Sequence, residues 1–253
     1  MTKTNWKEVN DRYVLMLRPS TNAVGMKYFK IGEEDQIEKT FPGVEYFTKP
    51  TFTCQAIGVA AYYNKVVCLR RNQDVVGCNS SYCAANNGLA KKDENWWSGH
   101  DMATYPFEWF GNQEASRQHT EAQNIGCPDD IAAIVCYSLA KCNVEPDVVA
   151  MSMLPGAAYH LLGGLIEKDF KVIDFMYTQE SGCTDSWGLT YKTGKPGLSL
   201  GCRGDRSLGA LPAHELRLSM KPEDFLKALE GTENLADRDI TYPYYPVALL
   251  LQM

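Results

Sequence analysis

Residues 131–177 read IAAIVCYSLAKCNVEPDVVAMSMLPGAAYHLLGGLIEKDFKVIDFMY, and this stretch decides the fold. Its two apolar runs, Ile131 to Leu139 and Val148 to Met153, have the length and composition of strands covered on both faces. Pro155 follows the second run at the position where proline opens a helix, and that helix is expected to reach about Lys168. Val172 to Tyr177 then reads as a further strand. A strand–helix–strand rhythm of this kind predicts an α/β fold, with a mixed or parallel sheet and helices packed on it.

Upstream, Trp6, Val9, Tyr13 and Leu17 recur at helical spacing, Asn5 and Glu8 resemble a capping box, and Pro19 ends the run. Val24 to Ile31 and Val66 to Arg70 read as strands, Thr51 to Tyr63 as an apolar helix carrying Cys54 in its first turn, and Ser80 to Leu89 as a short helix. Lys91 to Pro128 is polar, aromatic and without period, so residues 91–128 are expected to form an irregular covering segment or lid. Leu198 to Leu200 and Leu216 to Met220 add short strands, and Pro222 to Leu229 a helix. The whole, residues 1–253, reads as a single α/β domain.

Composition narrows the function classes. Apolar residues make up 45% of the chain, too many for a disordered one. A net charge of −6 with no basic block argues against nucleic acid as a partner. The N-terminal residues lack an apolar signal core, and the longest apolar stretch, Ile131 to Ala140, falls short of the roughly 20 residues that span a bilayer. A soluble cytoplasmic protein is expected, with a small-molecule substrate, no nucleic acid and no membrane; self-association stays open. In that reducing compartment the nine cysteines are read as free thiols or metal thiolates rather than disulfides.

No C-x-x-C spacing occurs, which disfavours zinc ribbons, thioredoxin-type sites and bacterial ferredoxin clusters. Thiolates from distant loops can still converge on one metal centre. The set with the most suggestive settings is Cys54 at a helix start, Cys78 after Gly77, Cys183 in Ser181-Gly182-Cys183-Thr184-Asp185, and Cys202 in Gly201-Cys202-Arg203-Gly204-Asp205-Arg206. Cys68 and Cys136, inside apolar strands, read as buried packing residues. Arg203 and Arg206 offer planar forks for a carboxylate or phosphate; the plainer alternative is a surface turn with an Arg–Asp ion pair. His160 lies on a helical face stripped of side chains by Gly156, Gly163 and Gly164, suited either to a flat ligand or to close packing. His100, His119 and His214 stand in polar contexts and read as surface residues.

In their order and spacing, Cys54-Gln55-Ala56, Gly77-Cys78, Glu145-Pro146-Asp147-Val148-Val149, Pro155-Gly156-Ala157, Gly182-Cys183 and the Gly201–Arg206 loop resemble the bacterial and archaeal family known as domain of unknown function 169, over roughly Trp6 to Leu229. The resemblance implies cytoplasmic proteins common in anaerobes, with recurring cysteines at positions matching Cys54, Cys78, Cys183 and Cys202. Cys83, Cys127, Cys142 and His160 depart from that pattern.

These readings lead to one favoured expectation and two alternatives. The favoured one is an iron–sulfur enzyme, a lyase or oxidoreductase acting on a small anionic or aromatic molecule. Cys54, Cys78, Cys183 and Cys202 would hold a cluster, possibly of the 4Fe–4S type. Arg203 and Arg206 would bind the substrate's anionic group, and His160 would move a proton. The alternatives are a non-catalytic metal- or cofactor-binding or redox-sensing module, and a metal-free enzyme with a cysteine nucleophile.

Overall fold

The computed structural model describes residues 4–71, 88–89, 94–101, 103–104, 108–125, 130–178 and 180–243. The chain begins with α1 (Trp6–Leu17). The Asn5 side chain caps it by accepting the Glu8 N–H, and Arg18 stops it in the left-handed region. Trp6, Val9, Tyr13 and Leu17 are its buried stripe. There follow β1 (Val24–Lys30), α2 (Gln36–Thr40), β2 (Glu45–Tyr46), α3 (Thr53–Tyr63) and β3 (Val66–Arg70). Next come α4 (Glu94–Trp97), α5 (Gln113–Ala122), β4 (Ile131–Ser138), β5 (Val148–Met153) and α6 (Pro155–Leu165). A π-turn over Thr184–Gly188 leads into α7 (Leu189–Thr193), and β6 (Gly197–Ser199), α8 (Arg203–Ser207), β7 (Leu216–Met220) and α9 (Pro222–Ala236) complete the order.

The strands form one seven-stranded sheet in the order β2-β3-β4-β1-β5-β7-β6. It is mixed: β2 and β3 run parallel, and the other described pairings are antiparallel. Strand alternation divides the interior into two apolar layers. Ala133, Val135 and Tyr137 of β4, with Val149, Met151 and Met153 of β5, face the layer built from α1, α6 and α9. Ile134 and Cys136, with Val148 and Ala150, face the layer that holds α3, Trp96 of α4, Cys183 and Trp187.

The first layer is closed by a helix crossing with no room to spare. A Cβ on Gly231 of α9 would lie 2.0 Å from the Gly164 carbonyl oxygen of α6. Gly156 receives the Tyr242 ring in the same way, at 3.1 Å. Of the glycines around His160, Gly164 and Gly156 therefore serve close packing, whereas Gly163 has room for a side chain.

Three expectations change here. Residues 172–177 are not a strand: the segment pairs with no strand among the described residues, with Val172 74% and Tyr177 60% exposed. The polar stretch read as irregular contains a regular ten-residue helix, α5, capped by Asn112, which accepts the Ala115 N–H at 2.9 Å. Its inward residues are Ser116, His119 and Thr120, so no apolar period marked it. His119 is accordingly buried rather than on the surface. The helix expected over Ser80 to Leu89 lies mostly outside the described residues.

Candidate thiol site on one face of the sheet

Three of the four singled-out cysteines come to one neighbourhood in the second layer. Cys54 is the second residue of α3, and its Sγ lies 3.8 Å from the Gly204 carbonyl oxygen on α8. Cys202 is the N-cap of that same helix, its Sγ accepting the Asp205 N–H at 3.4 Å. Gly182, beside Cys183, presses on it from the third segment: a Cβ there would stand 3.6 Å from Cys202 Sγ and 3.3 Å from its backbone nitrogen. Cys183 Sγ is 3.7 Å from the Ser181 hydroxyl. All three thiols are nearly closed to solvent, at 7%, 5% and 5% exposure for Cys54, Cys183 and Cys202. Cys78 lies outside the described residues.

Local sequence explains the convergence. Gly201 takes φ +84°, which an L side chain rarely adopts, and this turns the chain from β6 into α8. Gly209 closes the other end of that helix. A Cβ there would fall 2.8 Å from Cys54 Cβ and 2.4 Å from an Asp205 oxygen, so a side chain would push α3 off the loop.

Beneath the thiols sits a feature the sequence reading missed. Arg217 of β7 and Asp205 of α8 form an ion pair with both side chains 1% exposed. The guanidinium donates to Asp205 at 2.9 and 3.1 Å, to the Gly209 carbonyl at 2.9 Å, and to the hydroxyl of Ser152 on β5. Burial works against its charge, but the Asp205 carboxylate outweighs that and holds the Arg217 pKa above its ordinary value, with Cys54 adding in the same direction. Cys54 thus stands in the first turn of an eleven-residue helix and within electrostatic reach of a buried cation. Both favour a thiolate. The only sequence signal for Arg217 was a charged residue inside the apolar run Leu216 to Met220.

The two arginines differ in placement. Arg206 faces inward and donates to the carbonyls of Pro212 at 2.6 Å, Glu215 at 3.3 Å and Leu200, so it clamps the loop together. Arg203 is exposed at the start of α8, and its backbone N–H is accepted by the Glu180 carboxylate. Burial raises the Glu180 pKa, and the Arg203 charge opposes the rise. Glu180, three residues before Cys183, is a titratable group that sequence reasoning passed over.

His160 does not join this site. It lies on α6, whose Ala157, Ala158 and Leu161 pack in the first layer, so the sheet stands between it and the thiols. Burial lowers its pKa, and its ring stacks on Tyr242 at a centroid distance of 6.4 Å. It borders a cavity of about 280 Å³ with Arg18, Thr232 and Tyr242. A second cavity, of about 590 Å³, is lined by Glu38, Tyr46, Arg70 and Arg71, with Arg70 lying 4.6 Å over the Tyr46 ring. Neither is lined by Cys54, Cys183 or Cys202. Among the described residues, no three His, Cys, Asp or Glu side chains gather into a metal-ligand set. No described helix is long and apolar enough to cross a membrane.

Fold and site together define a mixed-sheet α/β protein with a buried thiol neighbourhood over an Arg–Asp pair. The family described as "Uncharacterised ArCR", domain of unknown function 169, matches residues 14–231, and the chain belongs to it. No curated protein and no solved structure matches the chain.

Proposed function

We propose that the chain is an enzyme whose working centre is the group Cys54, Cys183 and Cys202, and that the centre takes an iron–sulfur cluster with Cys78 as a further thiolate. The observation that carries this reading is that Cys54 and Cys202, from segments as far apart as α3 and α8, both meet the first turn of α8, with Gly182, next to buried Cys183, packed against Cys202. Their donor chemistry suits the group: soft thiolates in a dry setting, with the Arg217 cation beneath to offset the negative charge of a thiolate-bound cluster. The ligand set is incomplete without Cys78 and requires the thiols to draw closer together.

When bound, such a cluster supplies either electron transfer or an open iron position acting as a Lewis acid. The remaining roles belong to the chain. Arg203, exposed at the rim, would meet the anionic end of a small substrate. Glu180, holding its proton to higher pH than an ordinary carboxylate, would deliver or take a proton there. Arg206 and His160, placed as described, keep structural work.

The test is iron and acid-labile sulfide, with an absorption spectrum, on protein purified without oxygen. Both elements in comparable amounts, with a brown colour, are expected; their absence from colourless protein with intact thiols would overturn the cluster. A second reading is favoured by the placement of Cys54 alone, at a helix N-terminus beside Arg217: a metal-free enzyme with Cys54 as nucleophile. It expects one fast-alkylating thiol, lost in Cys54→Ser, and no bound metal.

A further inference from the structure

The cavity of about 590 Å³ has the size of a small-molecule pocket and stands apart from the thiols. Its place in the sheet is a second pointer. β1 and β3 both run antiparallel to β4, and β2 runs parallel to β3, so β1, β2 and β3 point the same way. The cavity lies where those three strands end: Ile31 follows β1, Tyr46 closes β2, and Arg70 and Arg71 end β3. In open α/β sheets the crevice beyond the carboxyl ends of the strands is where ligands bind. Ile37 of α2 and Ala133 of β4, both buried, give the cavity an apolar wall.

Its charges form two pairs of opposite sign. The half-buried Arg70 and Arg71 supply the positive pair. Arg70 is stacked 4.6 Å over the Tyr46 ring, and an Arg71 guanidinium nitrogen donates to the Gly88 carbonyl at 2.7 Å. Contacts of this kind fix the direction of a planar five-donor fork without neutralising its charge. Glu34, in the turn after β1, and Glu38, on α2, supply the negative pair. Glu34 accepts the Gly32 N–H at 2.8 Å, and Glu38 accepts the Tyr46 hydroxyl at 3.4 Å. Among the described residues neither carboxylate forms an ion pair, so the two pairs line one cavity without closing on each other. Tyr46 stands between them, with a guanidinium over its face and a carboxylate at its hydroxyl.

Opposite charges held apart around one space are complementary to a ligand that carries both. A plain anion would gain at the arginines and be repelled at the carboxylates, and a plain cation the reverse. We propose that this cavity binds a small zwitterion whose ammonium and carboxylate are separated by a short apolar chain. The carboxylate would meet Arg70 and Arg71, the ammonium Glu34 and Glu38, and the chain would lie along Tyr46 and Ile37. Cys54, Cys183 and Cys202 do not line the cavity, so the proposal stands whether or not the thiols take a cluster.

The probe is 5-aminopentanoate, titrated against the full chain by calorimetry beside pentanoate and pentylamine, which keep the chain and one charge each. Saturable binding of the zwitterion is expected, at least about fivefold tighter than either single-charge analogue, the gain that an exposed charge contact can supply. Glu38→Gln should remove most of the advantage over pentanoate and keep that over pentylamine; Arg70→Gln should do the converse. Glu38 is exposed on α2, so its variant decides the matter if Arg70→Gln fails to fold. No saturable binding of 5-aminopentanoate at millimolar concentration would overturn the proposal. So would binding of pentanoate or pentylamine as tight as that of the zwitterion, or an advantage over pentanoate that survives Glu38→Gln in full.

Discussion

The two faces of the sheet are built on opposite plans. On the first, α1, α6 and α9 close a layer of Trp6, Tyr13, Leu161, Phe225 and their neighbours, and two glycines bring α6 and α9 into backbone contact. On the second, apolar residues share the interior with the thiols of Cys54 and Cys183 and border a buried Arg–Asp pair. Polar groups are costly in such a place unless each finds a partner. The first face holds the fold together, and the second spends part of that stability on a site.

Breaking the pair beneath the thiols should give the largest effect. Arg217→Met leaves Asp205 charged and buried, and unfolding in urea should show a loss of about 3–5 kcal/mol. Adding Asp205→Leu should recover at least half of it; a double variant no better than the single one would mean that the pair positions the backbone rather than balancing charge. On the other face, Gly231→Ala puts a methyl group 2.0 Å from the Gly164 oxygen, and the helices must separate. A loss of about 3 kcal/mol by the same measurement is expected, with iron content, where present, unchanged.

Each face holds a histidine whose pKa burial lowers, His160 on the first and His119 on the second, and the larger response to acid is expected from His119. His119 titrates at about 4 in the folded chain against 6.5 for an ordinary histidine, so the unfolded chain binds the extra proton first. Stability is full above about pH 6.5 and falls as the pH drops towards 4, by roughly 2–3 kcal/mol in all. His119→Gln should flatten that part of the stability profile, and an unchanged slope would locate the acid sensitivity elsewhere. The smallest effect is expected at the half-exposed Arg12–Glu233 pair between α1 and α9, where Arg12→Met should cost under about 1 kcal/mol.

α1 was legible because its apolar residues repeat at the helical period, and the central strands because they read as short continuous apolar runs. β3 and β5 begin and end where the sequence reading put them, and α1 and α6 begin there. α5 was hidden because its buried stripe is Ser, His and Thr rather than Leu or Val. The 172–177 segment misled for the converse reason: it is as apolar as a buried strand but pairs with no strand among the described residues.

At the site, residue chemistry was legible and partnership was not. Cys183 and Cys202 stand out by the glycine before each, and Cys54 by its place in the first turn of a helix; Cys54 and Cys202 both meet α8, and Gly182 packs on Cys202. Nothing in the sequence shows that Arg206 is claimed by three carbonyls while Arg203 stays exposed, nor that Arg217 reaches Asp205 twelve residues away. His160 was grouped with the thiols because sequence spacing does not reveal which face of the sheet a helix covers.

The central claim, that three thiols of the second face act as one centre, is tested most directly by a serine series on protein purified without oxygen. Iron and acid-labile sulfide should fall together in Cys54→Ser, Cys183→Ser and Cys202→Ser, and stay at the parent level in Cys68→Ser, whose thiol is buried in the opposite layer. Equal iron and sulfide in all four variants, or none in the parent protein, would contradict it.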